Sequence, residues 1–251
     1  MTLIFFKPRM LPRFACQLRA TVCSITLMVT GGLAIASEAV LSPFESHYDV
    51  NYSGFAAGRE ISLARDGPDY ILRSTTTLRG FARLSGMGPV YEVSRFEFRD
   101  GVIRPRLYTV GDGEDNPKRD IRIEFDWDLG VSHGFAKGKD QSFPLEPGMQ
   151  DPLTFELMAR LELTRGASNL QFRVHEGHRV RGYTFNKQGV ETLEVRGQPV
   201  QVTRYFIDRN SSRELYYWFD PDTLYLAMQL RQRHKGRTKG TVTLTHSTLL
   251  D

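Results

Sequence analysis

Cysteine is almost absent from this 251-residue chain, which contains only Cys16 and Cys23. Both lie within the first 36 residues, and neither follows the Leu-small-small pattern that lipoprotein processing requires. If this segment is removed, the remaining chain can form no disulfide bond and no thiolate metal site. We therefore expect its stability to come from a hydrophobic core.

Acidic residues are missing from the first 36 positions, which instead carry four basic ones: Lys7, Arg9, Arg13 and Arg19. A largely apolar run follows and ends in Ala34-Ile35-Ala36, the small-x-small pattern that signal peptidases accept. We predict a signal peptide over 1–36 with cleavage after Ala36, a periplasmic location, and one β-rich domain over 37–251. A membrane anchor is the alternative, but the run is shorter than the about 20 mostly apolar residues that a spanning helix needs. We expect no transmembrane helix in the mature chain.

The predicted mature chain also has a formal net charge of zero. The full chain has 33 Lys and Arg residues and 29 Asp and Glu residues, so removal of the four basic residues leaves 29 of each. The high calculated pI of about 9.1 is thus mostly a property of the signal peptide. It gives no indication of nucleic-acid binding, and we expect none.

Motifs of common enzymes and cofactor sites are absent: the chain has no Gly-x-Ser-x-Gly elbow, no phosphate loop and no His-Glu-x-x-His helix. His175 and His178 flank a predicted turn without an evident third metal ligand, and the acidic loop over 112–116 lacks the spacing of a calcium loop. Asp126 and Asp128 lie on a strand face that alternates as a solvated face does. We expect no catalytic residue, no metal and no cofactor, with an enzyme only as the third hypothesis.

The chain does contain short runs rich in Tyr, Phe, Val, Ile, Leu and Thr. Turn residues separate these runs every eight to twelve positions. This pattern is typical of an antiparallel all-β domain. Asp66-Gly67-Pro68 and Asp100-Gly101 mark hairpins. We predict about thirteen strands in a mainly β fold, as a single antiparallel, strongly curved sheet or half-open barrel.

The stretch PGMQDPLTFELMARLEL interrupts the strands. Asp151 can cap the first free amides, Pro152 suits the first helical turn, and leucines recur at helical spacing. Arg165-Gly166 supplies a stop. We predict one amphipathic helix over about 151–165, packed on the concave face of the sheet. It is either a plug that fills the sheet or the lid of an apolar cavity.

Two further segments are candidates for contacts. The glycine-rich loop over 80–89 carries Phe81, Leu84 and Met87, and it is either a gate or a cover for the core edge. The hairpin over 231–240 is dense in Lys and Arg. One hypothesis is that it contacts phosphate headgroups or an acidic partner. The other is that it is a solvated edge that deters aggregation.

Three segments of the sequence form recognisable motifs: an opening Phe44, Tyr48, Val50, Tyr52, Gly54, Ala57 and Gly58, the Gln150–Leu153 helix start, and the late Trp218–Pro221 and Leu224–Leu226. In these segments the chain resembles a bacterial envelope family, domain of unknown function 3108 (DUF3108). Membership implies export and a mostly β fold, with no assigned activity. The closing part is also similar to the end of the periplasmic lipoprotein-carrier fold, a half-open barrel closed by helices over an acyl-chain cavity. This chain has one clear helix where those carriers have more.

Our leading hypothesis is a soluble, non-catalytic periplasmic protein that binds or carries an apolar or amphiphilic envelope molecule. Five side chains would contact its apolar part: Leu157, Leu161, Phe81, Leu84 and Met87. Arg231 and Arg233 would meet an anionic head, and peripheral membrane contact is compatible with this. The alternative is a structural or interaction protein of the envelope with a filled core that binds a protein partner.

Overall fold

The structure, a computed structural model, describes residues 41–81, 88–111 and 120–250. The predicted signal peptide, Leu84, Met87 and the acidic loop over 112–116 lie outside these ranges. Within them, no helix has the length and apolar character needed to cross a membrane.

Fourteen strands form one antiparallel sheet in the described residues. They are β1 (Phe44–Tyr52), β2 (Phe55–Asp66), β3 (Asp69–Leu78), β4 (Val90–Arg99), β5 (Val102–Gly111), β6 (Ile121–Asp126), β7 (Val131–Ala136), β8 (Lys139–Pro144), β9 (Leu170–His175), β10 (Val180–Val195), β11 (Gln198–Asp208), β12 (Arg213–Asp220), β13 (Leu226–His234) and β14 (Arg237–Ser247). The spatial order is β8-β7-β6-β5-β4-β3-β2-β1-β14-β13-β12-β11-β10-β9. Two meanders, β1–β8 and β9–β14, are therefore joined by the pairing of the first strand with the last.

Local turn chemistry explains the hairpins. Five of them turn through two residues with positive φ, the second a glycine: Ser53-Gly54, Asp100-Gly101, Lys137-Gly138, Arg196-Gly197 and Lys235-Gly236. Positive φ at both central residues is the geometry whose twist matches paired strands. The predicted mainly β, single-sheet fold is confirmed, and the sheet is not closed into a barrel.

The helix α1 spans Thr154–Thr164 and confirms the helix predicted over about 151–165. Asp151 Oδ1 accepts the backbone N–H groups of Leu153 at 2.8 Å and Thr154 at 2.9 Å, as a cap does. At the other end Gly166 has φ +84° and donates its N–H to the carbonyl of Leu163.

The helix lies in the concave face and touches both meanders. Leu157 and Met158 belong to a core cluster with residues of β2–β6, and Phe155 and Leu163 to one with residues of β9–β13. The concave face is thus largely filled by a single helix.

The two ends of the sheet meet through side chains. The buried His175, at the end of β9, packs its ring against Phe125 of β6 and Phe143 of β8, with ring centroids 5.8 and 4.9 Å apart. A Cβ at Gly177, which has φ +90°, would lie 3.2 Å from side-chain carbons of Ala136 and Ile121. Glycine at this turn therefore allows the close approach.

Two details of the strand pattern differ from the prediction of about thirteen strands. The stretches HRVRGYTFNKQG and VETLEV form one strand, β10, with a bulge between Lys187 and Gly189. The short, polar β8 carries Lys139 and Asp140 and has little of the strand pattern, so the sequence does not predict it. A bulge inserts a residue without ending a strand, and an edge strand needs few apolar residues.

Candidate functional site

Polar side chains lie on the concave face, close to the N-terminal half of α1. Arg59 on β2 donates from Nε to Ser74 Oγ at 2.8 Å and from Nη2 to Glu92 Oε2 at 3.3 Å. The Tyr108 hydroxyl donates to Glu92 Oε1 at 3.0 Å. Burial alone would lower the pKa of Arg59, but the nearby carboxylates of Glu92 and Glu156 raise it. Arg59 is therefore charged, and Glu92 is its counter-ion.

Asp151 links the helix start to the sheet. Its Oδ2 accepts a hydrogen bond from Ser94 Oγ on β4 at 2.5 Å, while Oδ1 caps the helix. Its exposed fraction is 0%, and this burial raises the pKa of the carboxyl to about 6, although its hydrogen bonds act in the opposite direction. Near neutral pH the site thus holds a buried carboxylate that is costly to ionise.

Arg160 is a buried charged side chain on the concave face. It lies on α1 with 6% of its surface exposed. Its Nε donates to the carbonyl of Leu224 at 3.3 Å, and its Cζ lies 5.1 Å from the ring centroid of Phe44. Within the described residues its Nη groups donate no hydrogen bond and it forms no ion pair. Burial lowers the pKa of Arg160, while Tyr48 and Glu156 counteract that effect.

Two small cavities meet at Arg160. One, of about 50 Å³, is bordered by polar groups of Tyr48, Arg59, Glu156 and Tyr217. The other, of about 140 Å³, is mainly apolar and is lined by seven carbon-rich side chains: Leu41, Phe44, Leu63, Leu157, Leu161, Leu224 and Leu249. Phe44, Leu157 and Arg160 line both. A buried cation thus stands between a polar space and an apolar one.

The carboxyl of Glu156 shares the polar cavity. Burial raises its pKa, while Arg59, Arg160 and a hydrogen bond from Tyr217 act to lower it. Glu156 and Arg160 influence each other through space, but they form no ion pair in the described part of the chain. The Nη groups of Arg160 are therefore available to an anion that enters from outside.

A larger groove of about 550 Å³ lies on the other flank of α1, between Val102 and strands β9 and β10. Both of its charged side chains are already paired: Glu162 with Arg165 at 2.7 Å, and Arg173 with Glu146 at 3.1 Å. Because no charge in this groove lacks a partner, the candidate site is the pair of cavities at Arg160.

Residues 47–245 match the family model described as "Protein of unknown function (DUF3108)". The chain belongs to the DUF3108 family. The matched span includes the polar cluster from Tyr48 to Tyr217, whereas Leu41, Phe44 and Leu249 of the apolar cavity lie outside it.

Other comparisons of this DUF3108 chain concern solved structures and curated proteins. It is similar to the crystal structure of a beta-barrel-like protein of domain of unknown function DUF1849 from Brucella abortus, at 9% identity and a TM-score of 0.48, covering 82% of this chain and 97% of that one. The comparison with curated proteins finds no match.

Among the predicted contact residues that the structure describes, the DUF3108 fold brings two together. Leu157 and Leu161 both line the apolar cavity. Phe81 is 93% exposed and lines neither of the two cavities at Arg160. Leu84 and Met87 lie outside the described residues.

The two predicted anion-binding arginines lie elsewhere. Leu230 pairs with Tyr217 of the polar cavity, so the next residue, Arg231, points to the opposite face of the sheet. There its Cζ lies 4.9 Å from the ring centroid of Trp218. Arg233 contacts Glu214 at 3.6 Å and donates to the carbonyl of Gly236 at 2.9 Å. Neither arginine shares a site with Leu157.

Sequence reasoning missed Arg160, although a signal was present. Leu153, Leu157, Arg160 and Leu161 follow i, i+4, i+7 and i+8, the spacing of one helix face. A charged residue on the apolar stripe of a helix is buried when that stripe packs on a sheet. The carbon-rich stem of arginine allows this, but the guanidinium then requires a partner.

Proposed function

We propose that this DUF3108 protein is a non-catalytic, periplasmic binding protein that holds an anionic amphiphile between α1 and the sheet. The observation that carries the proposal is the buried Arg160, which has no ion-pair partner in the described residues and borders an apolar cavity. A carboxylate or phosphate group of the ligand accepts hydrogen bonds from the Nη groups of Arg160.

The energetics favour an anionic ligand. Removing a charged group from water without a partner costs several kcal/mol, and a bound anion offsets part of that cost. Phe44 stacks on the guanidinium and partly replaces water, but a ring face is a weaker partner than a carboxylate. A neutral ligand of the same shape would leave Arg160 without this gain.

The cavity volumes limit the size of the buried apolar part. The apolar cavity of about 140 Å³ is close to the roughly 150 Å³ of an engineered cavity that binds benzene. A complete long acyl chain therefore does not fit beneath the helix as it stands. The 54% exposure of Leu224, at the cavity border, supports an entrance there, through which the rest of a longer ligand extends into solvent.

The test is a comparison of binding by the wild type and Arg160→Met, which keeps an apolar side chain of similar length. Short-chain fatty acids and the matching alcohols are titrated by calorimetry, and protein purified from its own envelope is inspected by native mass spectrometry. We expect the acids to bind more tightly than the alcohols, and Arg160→Met to lose at least about tenfold in affinity for the acids, about 1.4 kcal/mol. The matched control is Arg165→Met, just after the end of α1, where the arginine is exposed and paired with Glu162.

Equal binding of acids and alcohols, or unchanged binding by Arg160→Met, contradicts the proposal. So does a protein that is always empty when purified and takes up none of the series.

A second function is favoured by the tight packing of the core. Leu153 and Leu157 are only 5% and 6% exposed, so α1 fills most of the concave face. In this alternative the protein is an envelope interaction protein, and the basic hairpin over 231–240 contacts an acidic protein partner. Lys235 and Arg237 are exposed and form no ion pair within the described ranges. Crosslinking in cells to one specific partner, lost on charge reversal at Lys235 and Arg237, would favour this function.

A further inference from the structure

Four side chains with metal-binding groups lie close together on the face of the sheet opposite α1: Glu45, His47, Glu60 and His246. The alternation of β1 places Glu45 and His47 on this face. Tyr48 lines the polar cavity under α1, so its neighbour His47 points to the other face, and Glu45 lies on the same side as His47.

The strand register holds these side chains in a row. His47 on β1 is directly opposite Glu60 on β2 and His246 on β14. Directly opposed residues have Cβ atoms about 4.5–5.5 Å apart. Three adjacent strands in the middle of the sheet thus present an imidazole, an imidazole and a carboxylate in one line, with Glu45 two residues before His47.

The distances are those of groups that can converge on one ion. The ligand atoms of Glu45, His47 and Glu60 all lie within 4.8 Å of one another. Glu45 Oε1 is 2.6 Å from His47 Nε2, and the ring centroids of His47 and His246 are 5.7 Å apart. Tetrahedral zinc with ligands at 2.0–2.2 Å needs donor atoms roughly 3.4 Å apart. The donor atoms of these three residues therefore have to approach one another by at most about 1.4 Å.

The charge of the group also favours a cation. With neutral imidazoles the two carboxylates give a formal charge of −2. Glu45 is paired only with His47, and Glu60 forms no ion pair in the described part of the chain. Each carboxylate is near the other, and neither has an arginine or lysine partner there.

We propose that Glu45, His47 and Glu60 bind a divalent transition-metal ion of the zinc type. Imidazole ligands together with carboxylates suit zinc and its neighbours, whereas calcium and magnesium prefer all-oxygen sites. Three protein ligands leave the fourth position of a tetrahedral shell to water. This site is independent of the anion site at Arg160, which lies on the other face.

The backbone around the ligands is tied down on both strands. The Thr245 hydroxyl donates to the carbonyl of His47 at 3.0 Å, and Glu45 N–H donates to Thr248 Oγ1 at 3.1 Å. A bound ion would connect β1 with β2 across their hairpin.

The experiment uses the full chain without a histidine tag. Zinc binding is measured by calorimetry and by the metal content after gel filtration, and thermal unfolding is followed with and without zinc. We expect one zinc ion per chain and a higher unfolding temperature with zinc. An excess of about 100-fold over Kd should raise the ratio of folded to unfolded protein about 100-fold.

Variants locate the site. His47→Asn and Glu60→Gln should each weaken zinc binding at least about tenfold, since even partners outside the ligand shell contribute 10–100-fold. His133→Asn, at an exposed histidine of β7, is the matched control and should bind zinc as the wild type does. The visible absorption spectrum of the protein with cobalt(II) in place of zinc reports the coordination geometry, because tetrahedral cobalt(II) gives intense bands.

Unchanged zinc affinity in both His47→Asn and Glu60→Gln would overturn the proposal. So would equal binding of magnesium, or a zinc Kd weaker than about 1 mM, which corresponds to only about 4 kcal/mol. Arg160→Met should retain zinc binding, so failure at one site is distinguishable from failure at the other.

Discussion

Replacing Asp151 with Asn removes a carboxylate that has no exposed surface and is bound at both oxygens. Asparagine can keep these contacts. Its Oδ1 can accept the N–H groups of Leu153 and Thr154, and its Nδ2 can donate to Ser94 Oγ. The substitution therefore removes the titration of the group and leaves its geometry in place.

The size of the effect follows from the pKa. Burial raises the pKa of Asp151 to about 6 in the folded protein, whereas an aspartate in an unfolded chain titrates near 3.9. A difference of about two units corresponds to about 3 kcal/mol at 1.36 kcal/mol per unit. Because the folded state binds the proton more tightly, this stabilisation is fully present below about pH 4. It is lost as the pH rises through about 6.

We therefore expect the free energy of unfolding of the wild type, relative to Asp151→Asn, to fall by about 3 kcal/mol between pH 4 and pH 7. The variant should match the wild type near pH 4 and be the more stable of the two at pH 7. The assay is urea unfolding at half-unit pH intervals, followed by the fluorescence of Trp127 and Trp218. Asp128→Asn, at an exposed position, measures the general effect of losing one carboxylate and is subtracted.

Two results would refute this reasoning. One is a constant difference in unfolding free energy between wild type and Asp151→Asn from pH 4 to pH 7. The other is a difference that grows in favour of the wild type as the pH rises, which would mean that the hydrogen bonds to the carboxylate outweigh its burial.

Two other predictions concern the packing on either side of this site. Leu157→Ala should lower the free energy of unfolding by about 2 to 5 kcal/mol, because Leu157 is 6% exposed in the core. Urea unfolding measures this loss. A loss well below 1 kcal/mol together with altered ligand uptake would instead show that Leu157 is part of a cavity wall. His175→Phe should remove a loss of stability in acid. Burial lowers the pKa of His175 to about 4, so its stabilising effect is present above about pH 6.5 and disappears as the pH falls through 4. A wild-type acid profile retained by the variant would contradict this.

Features with local causes were predictable from the sequence. Asp151-Pro152 and Arg165-Gly166 specify where α1 begins and ends, and Asp100-Gly101 specifies a hairpin, because each depends on neighbouring residues alone. The lining of the apolar cavity by Leu157 follows from helical spacing.

Features that depend on the position of distant strands were not predictable. Charge density in the sequence predicts Arg231 and Arg233 as anion contacts, but the alternation of β13 places Arg231 on the face away from α1. The partners of Glu92 come from β2 and β5, and the lack of a partner at Arg160 is visible only once α1 is placed on the sheet. Burial of charge is a property of the assembled layers, and sequence spacing alone does not encode it.

The pairing of β1 with β14 also sets the order in which the chain can fold. Ser46 and Ser247, which hydrogen-bond across this pair, are 201 positions apart, so the central ladder cannot form until the chain has been synthesised past residue 247. The hairpins within each meander can form before this, but one edge of β1 then stays unpaired until β14 is available. Contacts of such long separation are associated with slow folding. A chain that ends before β14 therefore presents β1 as an unpaired edge strand, and an exposed edge is a site where another chain can pair.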